Sequence, residues 1–286
     1  MKPSEYQLGV MLREIKRPSF DESLERVKGL GFECVQLNLN MLGLPTLPTS
    51  LLHGKAGEIG ASFWAYGLNL AALSGTFNVA HPDNEVRNAG IAGMRTLCES
   101  AESMGTHVIT LCTGTRNLEN MWRSHPDNKS PEAWQEMIST IRQITKIAES
   151  HSVTLAFETE VSNIVNTVDK AARLLDEIAS ENLKVVMDPA NLLFPQDIKR
   201  QREILDAAFQ KLGDKIVLAH AKDVGEYDES AGELKRMAAG KGLLDFEYYF
   251  QLLKASSYQG PLIIHNLLEE EMSFSREFIT SLLHRV

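Results

Sequence analysis

Short apolar segments rich in β-branched residues recur along the whole chain and predict eight β-strands. Most of these segments are almost continuously apolar, which is typical of parallel strands that are covered by helices on both faces. The predicted strands cover residues 7–12, 32–39, 68–74, 107–113, 153–158, 183–188, 215–220 and 261–265.

Amphipathic segments with helix-capping residues lie between the predicted strands. Ser19 and Glu22 have the spacing of a capping box, and Ser130 followed by Pro131 is typical of a helix start. Helices are predicted to begin at both places. Further predicted helices cover residues 84–104, 167–179, 198–212, 246–256 and 275–283, with a weaker one over 51–59. Because strand and helix alternate, the sequence predicts βα units around a parallel sheet.

Eight βα units are the number found in a single (β/α)8 TIM barrel, a fold of the α/β class. No linker rich in Gly, Ser or Pro divides the chain, so residues 1–286 are predicted to form one domain. An open doubly wound sheet usually carries GxGxxG after its first strand, but the segment that follows here, REIKRPSF, contains no glycine. The sequence also lacks a Walker loop, a GxSxG elbow and an HExxH motif. We therefore predict the barrel.

The net charge and the length of the apolar segments indicate which partners and which cellular location the protein can have. The 286 residues include 29 Lys and Arg against 38 Asp and Glu, a net charge of −9, which disfavours binding to nucleic acid. No apolar run reaches the ~18 residues of a membrane span, and the N-terminus lacks the apolar stretch of a secretory signal. We expect a cytoplasmic protein without a membrane partner, whose three widely spaced cysteines are buried and reduced.

Ionisable residues end the last four predicted strands, at the end of a barrel where active sites are built. They are Glu158, Asp188, His220 and His265. A single acid at a strand end is more often a cap or an ion-pair partner. Several ionisable groups crowded at the same end of a barrel, however, need a compensating cation, because buried charges without a partner cost free energy. Carboxylates with imidazole suit one divalent ion, such as Mn²⁺, Co²⁺, Zn²⁺ or Mg²⁺.

Five segments in the second half of the chain resemble, in order and spacing, the xylose isomerase-like sugar isomerase and epimerase superfamily. They are FETE, VVMDPANLL, VLAHAKD, GKGLLDFEYYF and YQGPLIIH. This superfamily includes hydroxypyruvate isomerase, tagatose-type 3-epimerases and inosose dehydratase. The resemblance implies one divalent ion held by Glu158, Asp188, His220 and the residue that ends the eighth strand. That residue is a glutamate in the superfamily and His265 here.

The superfamily's two glutamates also form its acid–base pair, so the resemblance implies Glu158 and His265 as the catalytic residues. A histidine can ligate a metal or act as a base near neutral pH, since its ordinary pKa is ~6.5. Glu160 is one candidate to supply a carboxylate in place of the superfamily's second glutamate. Glu269, Glu270 and Glu271 are further candidates, but as a run of charges they are expected to face solvent.

Further candidates lie on the segments that follow the strands. Asn191 stands where related epimerases place a histidine that contacts substrate, and the guanidinium of Arg116 suits a carboxylate or phosphate. Trp122 is a candidate aromatic wall against a sugar ring. The predicted substrate-binding residues are Asn191, Lys222, Glu160, Arg116, His81 and Trp122.

Together these features indicate a metal-dependent isomerase or epimerase of a small sugar, sugar phosphate or polyhydroxy-ketone, which moves a proton α to a metal-polarised carbonyl. The expected partner is a small carbohydrate, and a homodimer or tetramer is expected. Three alternatives stay open: an inosose dehydratase-type lyase, a non-catalytic barrel that binds metal or sugar, and an AP-endonuclease-type phosphodiesterase, which the net charge disfavours.

Overall fold

The computed structural model describes residues 6–229 and 233–286, and in them eight parallel strands close into a barrel. Each strand pairs with the next one along the chain, and the last pairs with the first. The barrel strands are β1 (Leu8–Met11), β2 (Cys34–Leu37), β3 (Asn69–Ser74), β4 (Val108–Cys112), β5 (Thr154–Glu158), β6 (Leu183–Met187), β7 (Ile216–Ala221) and β10 (Leu262–Ile264). The predicted single (β/α)8 TIM barrel and its eight strands are confirmed.

Two strands outside the barrel form an antiparallel hairpin between β7 and β10. They are β8 (Asp223–Asp228) and β9 (Glu233–Met237). The sequence did not predict this hairpin, because its strands are mostly polar and lack the continuous apolar runs of the barrel strands. The first half of β8 is buried, and β9 is mostly exposed.

Eight α-helices follow the barrel strands. Their bounds are α1 (Phe20–Gly29), α2 (Lys55–Tyr66), α3 (Asn84–Met104), α4 (Pro131–Ser150), α5 (Val168–Ile178), α6 (Gln201–Leu212), α7 (Phe246–Ala255) and α8 (Met272–Leu283). The predicted caps are confirmed, since the Ser19 and Ser130 side chains accept hydrogen bonds from the first turns of α1 and α4. Within the described ranges, no helix is both long and apolar enough to cross a membrane.

Helix α2 lies later in the chain than the predicted helix over residues 51–59. Gly54 and Gly67 flank it with φ angles of +82° and +60°, so left-handed glycines set both of its ends. Such a conformation is favourable for glycine and costly for other residues, which explains why the helix begins after Gly54.

The barrel interior and the layer between strands and helices are separate apolar clusters. Successive residues of a strand point to opposite faces, so every second residue faces the barrel axis. The inward-facing apolar residues are Met11, Cys34, Ala72, Ala156, Val186, Leu218 and Ile263. The three cysteines, Cys34, Cys98 and Cys112, are buried and unpaired, as predicted.

Gly9 lets β1 pack against its neighbours inside the barrel. A β-carbon at this position would lie 2.5 Å from Cys34 Sγ and 2.7 Å from Ile263 Cδ1. We expect Gly9→Ala to lower the free energy of unfolding by about 1–3 kcal/mol, because the interior has no room for the methyl group. Denaturant unfolding measures the change. Gly29→Ala in α1 is the matched control, since a β-carbon there meets nothing within 4 Å. Equal stability of the Gly9→Ala and wild-type proteins would contradict this packing.

Candidate metal centre and substrate cavity

Four ionisable residues extend the inward-facing rows of β5, β6, β7 and β10 to the carboxyl end of the barrel. They are Glu158, Asp188, His220 and His265. The residue two positions before each of them is an apolar residue of the barrel interior: Ala156, Val186, Leu218 and Ile263. The period of two along each strand therefore aims all four polar side chains at the barrel axis.

The four side chains meet with spacings that suit a single cation. One ligand atom from each residue lies within 4.8 Å of the others. His220 Nδ1 is 3.6 Å from Glu158 Oε1 and 3.8 Å from Asp188 Oδ2. His265 Nε2 is 3.1 Å from the same Asp188 oxygen. Ligands that are each ~2.1 Å from one ion lie roughly 3–4 Å apart, so these separations are close to those of a metal centre.

A buried glutamine fixes how His220 faces the cluster. His220 Nε2 lies 2.9 Å from Gln36 Oε1, while the Gln36 amide nitrogen donates to Ser74 Oγ and Thr110 Oγ1 at 3.1 Å. With Gln36 in this orientation, the neutral imidazole of His220 carries its proton on Nε2, and its Nδ1 lone pair faces the carboxylates. Among the described residues, this buried Nδ1 has no hydrogen-bond partner. A buried lone pair that faces two carboxylates, with its ring held by an outer hydrogen bond, fits a metal ligand.

The cluster shifts the pKa values of its two histidines in opposite directions. Burial lowers the pKa of His220, but the charges of Glu158 and Asp188 outweigh it and raise this pKa to about 9. Burial also lowers the pKa of His265, to about 3, and the adjacent His220 adds to this decrease. A proton on His220 therefore balances the carboxylates when no metal ion is bound, whereas His265 remains a neutral nitrogen donor.

Lys222 and Asn191 connect the two carboxylates. Lys222 Nζ lies 3.3 Å from Asp188 Oδ2 and donates to Asn191 Oδ1. Asn191 Nδ2 in turn donates to Glu158 Oε1 at 2.5 Å. This chain fixes the amide orientation of Asn191 and holds both carboxylates in place.

A cavity of about 390 Å³ opens above the cluster. That volume is in the usual range of about 300–1,000 Å³ for small-molecule sites. Six of the predicted site residues line it: Glu158, His265, Asn191, Lys222, Glu160 and Trp122. Other polar and charged residues, which were not among the predicted site residues, also line the cavity: Arg13, Gln36, Asn38, Thr46, Ser74, Thr76, Thr110, Arg236 and Asn266.

Two predicted substrate-binding residues lie outside this cavity. Arg116 forms a 2.5 Å ion pair with Glu136 on α4 and also donates to the backbone of Ala80. His81 Nδ1 accepts a hydrogen bond from the backbone of Asp83 just before α3. Both side chains therefore stabilise loops that join barrel strands to helices.

The glutamates after β10 also lie outside the cavity. Glu269 pairs with Arg17 and Arg26, and Glu271 pairs with Lys241. Of the carboxylates considered as replacements for the superfamily's second glutamate, the structure brings Glu160 to the cavity.

Gln36 provides a test of the outer hydrogen bond to His220. We expect Gln36→Leu to weaken metal binding about 10- to 100-fold, because the His220 ring loses the acceptor that sets its tautomer. Titration of the metal-free protein with Mn²⁺ or Zn²⁺ measures the change. Gln143→Leu is the control, since Gln143 is exposed on α4. Unchanged affinity in the Gln36 variant would show that this hydrogen bond does not orient a ligand.

Comparisons with known proteins agree with the barrel fold. The family model described as xylose isomerase-like TIM barrel matches residues 24–280. The L-ribulose-5-phosphate 3-epimerase UlaE of Escherichia coli is 25% identical over 189 residues. The aligned part covers 66% of this chain and 60% of that enzyme, which is less than two thirds of the enzyme's length.

Solved structures show the same fold at low sequence identity. A D-tagatose 3-epimerase-like protein matches with a TM-score of 0.75 and 17% identity, over 98% of both chains. The IOLI protein with a binding zinc atom matches with a TM-score of 0.73 and 16% identity, also over 98% of both chains. At these identities, the likeness supports the fold alone.

Proposed function

Because this chain belongs to the xylose isomerase-like TIM barrel family, we propose that it is a metal-dependent isomerase or epimerase of a small sugar, sugar phosphate or polyhydroxy-ketone. The observation that carries the proposal is the cluster of Glu158, Asp188, His220 and His265 at the base of a polar cavity. The epimerase activity named for the relative UlaE supports it.

We propose that the cluster holds one divalent metal ion. Two carboxylates and two imidazoles favour Mn²⁺, Co²⁺ or Zn²⁺ over Mg²⁺, which prefers oxygen ligands. The zinc atom named for the IOLI protein and the magnesium named for a xylose isomerase-like TIM barrel protein of Mycobacterium smegmatis support a divalent ion. When bound, the ion would act as a Lewis acid on the substrate's carbonyl oxygen and so make the adjacent carbon more acidic.

The side chains of the cavity then have separate roles. Glu158 removes a proton from the carbon next to the carbonyl, and His265 is its partner for returning a proton from the other side. Asn191, Lys222 and Glu160 hydrogen-bond substrate hydroxyl groups, while Trp122 packs against the apolar face of the sugar. The exposure of Trp122, at 43%, leaves its ring accessible for this contact.

Proton exchange with solvent tests the proposal directly. The Mn²⁺-loaded protein is incubated in D₂O with a panel of ketoses and ketose phosphates, and NMR follows deuterium at the carbon next to the carbonyl. We expect deuterium incorporation with at least one compound, and its loss after chelation. A dehydratase would instead release one water from its substrate. A metal-loaded protein that exchanges and dehydrates none of these compounds would refute the proposed chemistry.

The cytoplasmic location and the homodimer or tetramer stay predictions. A non-catalytic barrel that binds metal or sugar would have the same cluster and cavity, and the deuterium exchange experiment separates it from an enzyme. The net charge of −9 disfavours a phosphodiesterase that acts on nucleic acid.

A further inference from the structure

We infer that the substrate carries an anionic group, a phosphate or a carboxylate, at the end away from its carbonyl, and that Arg13 and Arg236 bind this group at the mouth of the cavity. Both arginines line the cavity, and the side chain of each is 48% exposed, so each reaches both cavity and solvent. The inference rests on the proposed function, because that function places the carbonyl end at the metal cluster.

Arg13 is held by a contact network that leaves its outer nitrogens available. It lies in the 3₁₀ turn Leu12–Glu14, directly after β1. Its Nε donates to Glu14 Oε1 at 3.3 Å, and the same oxygen accepts the backbone N–H of Asn266 at 3.2 Å. In the part of the chain that the structure describes, Arg13 Nη1 and Nη2 donate no hydrogen bond. These two nitrogens can bind two oxygens of a phosphate or carboxylate in parallel.

Arg236 reaches the cavity from the hairpin. It lies on β9 and pairs in register with Val224 on β8, the strand that follows Lys222. Its ion pair with Glu233 is long, at 3.8 Å, which exceeds hydrogen-bond distance. An anionic ligand could therefore approach Arg236 without displacing a short ion pair between these two residues.

The distribution of charged side chains in the cavity favours one orientation of the bound substrate. The base of the cavity contains the carboxylates of Glu158, Asp188 and Glu160, and the lysine there, Lys222, is already paired with Asp188. The mouth contains two guanidinium groups, although the whole chain carries a net charge of −9. An anionic group is therefore favoured at the mouth, with the carbonyl end toward the metal ligands.

Two other groups that could bind an anion already have partners. Arg116 is paired with Glu136 outside the cavity. The backbone N–H groups of Gly240 and Gly242, in the glycine-containing loop before α7, donate to Asp223 Oδ2 at 3.1 and 2.8 Å. Lys222, a third cation that lines the cavity, is paired with Asp188 at 3.3 Å. Arg13 and Arg236 therefore remain for an anionic group.

Calorimetry on the metal-loaded protein tests the inference with matched compounds: L-ribulose and L-ribulose 5-phosphate, and D-fructose, D-fructose 6-phosphate and D-fructuronate. We expect an anionic compound to bind at least about tenfold more tightly than its neutral parent. Arg13→Met and Arg236→Met should each remove most of this gain and leave the neutral parent within about twofold. Arg200→Met is the control, because Arg200 pairs with Glu203 on the surface and does not line the cavity.

The outcomes distinguish a phosphate from a carboxylate, and they distinguish failure of this inference from failure of the proposed function. A gain for the esters identifies a phosphate, and a gain for the uronate identifies a carboxylate. Anionic compounds that bind no more tightly than their parents would overturn the inference, as would a gain that survives both substitutions. The proposed function fails separately, if the anionic compounds bind through the arginines but no ketose exchanges deuterium.

Discussion

Replacement of Asp188 by asparagine is expected to remove the metal ion and to lower kcat/KM by at least about 10³-fold. Asp188 is buried, and its Oδ2 lies 3.8 Å from His220, 3.3 Å from Lys222 and 3.1 Å from His265. An amide removes the negative charge that a cation requires at this point. A Lewis acid contributes several kcal/mol to the reaction, which corresponds to the expected loss.

Elemental analysis of the purified protein, together with the rate of deuterium exchange, measures this effect. Chelation should lower the melting temperature of the wild-type protein and leave that of Asp188→Asn unchanged. Asp127→Asn is the control, since the side chain of Asp127 is 70% exposed. If the Asp188 variant keeps one ion per chain and normal turnover, Asp188 is not a metal ligand.

The barrel could be predicted because its strands are buried on both faces. The fifth strand was predicted over residues 153–158 and observed over Thr154–Glu158, and the sixth was predicted over 183–188 and observed over Leu183–Met187. Continuous apolar runs of this kind are a direct consequence of burial between the barrel interior and the helices. Each strand differs from its prediction by a single residue, because the first or last residue of an apolar run can belong to the adjoining loop.

The positions of the candidate metal ligands follow from the same pattern. Once the strands are known, the period of two carries the inward face from Val186 to Asp188 and from Ile263 to His265. The chemical state of His265 could not be predicted in this way. Its low pKa depends on burial and on His220, whose ring centroid lies 4.6 Å away on another strand.

The direction of side chains on loops depends on contacts that the sequence does not reveal. Arg116 follows a strand, as a substrate-binding residue would, but Glu136 on α4 draws its guanidinium away from the cavity. Arg236 belongs to a hairpin with no apolar pattern, yet the pairing of β9 with β8 brings it to the cavity. Both outcomes are set by residues distant in the chain.

We expect Glu158→Gln to lower kcat by about 10²–10⁴-fold, which is typical for loss of a general base. Glutamine keeps an oxygen that can accept the hydrogen bond from Asn191 Nδ2, so the local structure should persist. The amide cannot take up a proton, however. The rate is measured at saturating Mn²⁺, so that weaker metal binding does not account for the loss. Turnover near the wild-type rate would remove Glu158 from the reaction.

His265→Gln at saturating Mn²⁺ then tests whether one group or two move the proton. Removal of the substrate proton requires Glu158 alone, whereas its return to the opposite side requires a partner. If His265 is that partner, the variant should still incorporate deuterium into recovered substrate but form epimer at least about 10²-fold more slowly. Epimer formation at the wild-type rate would show that another group returns the proton. Burial lowers the pKa of His265 to about 3, so that its imidazole is neutral before metal and substrate bind. A histidine that is neutral and weakly basic without metal can serve as a ligand, and must gain its proton-transfer role from the substrate complex.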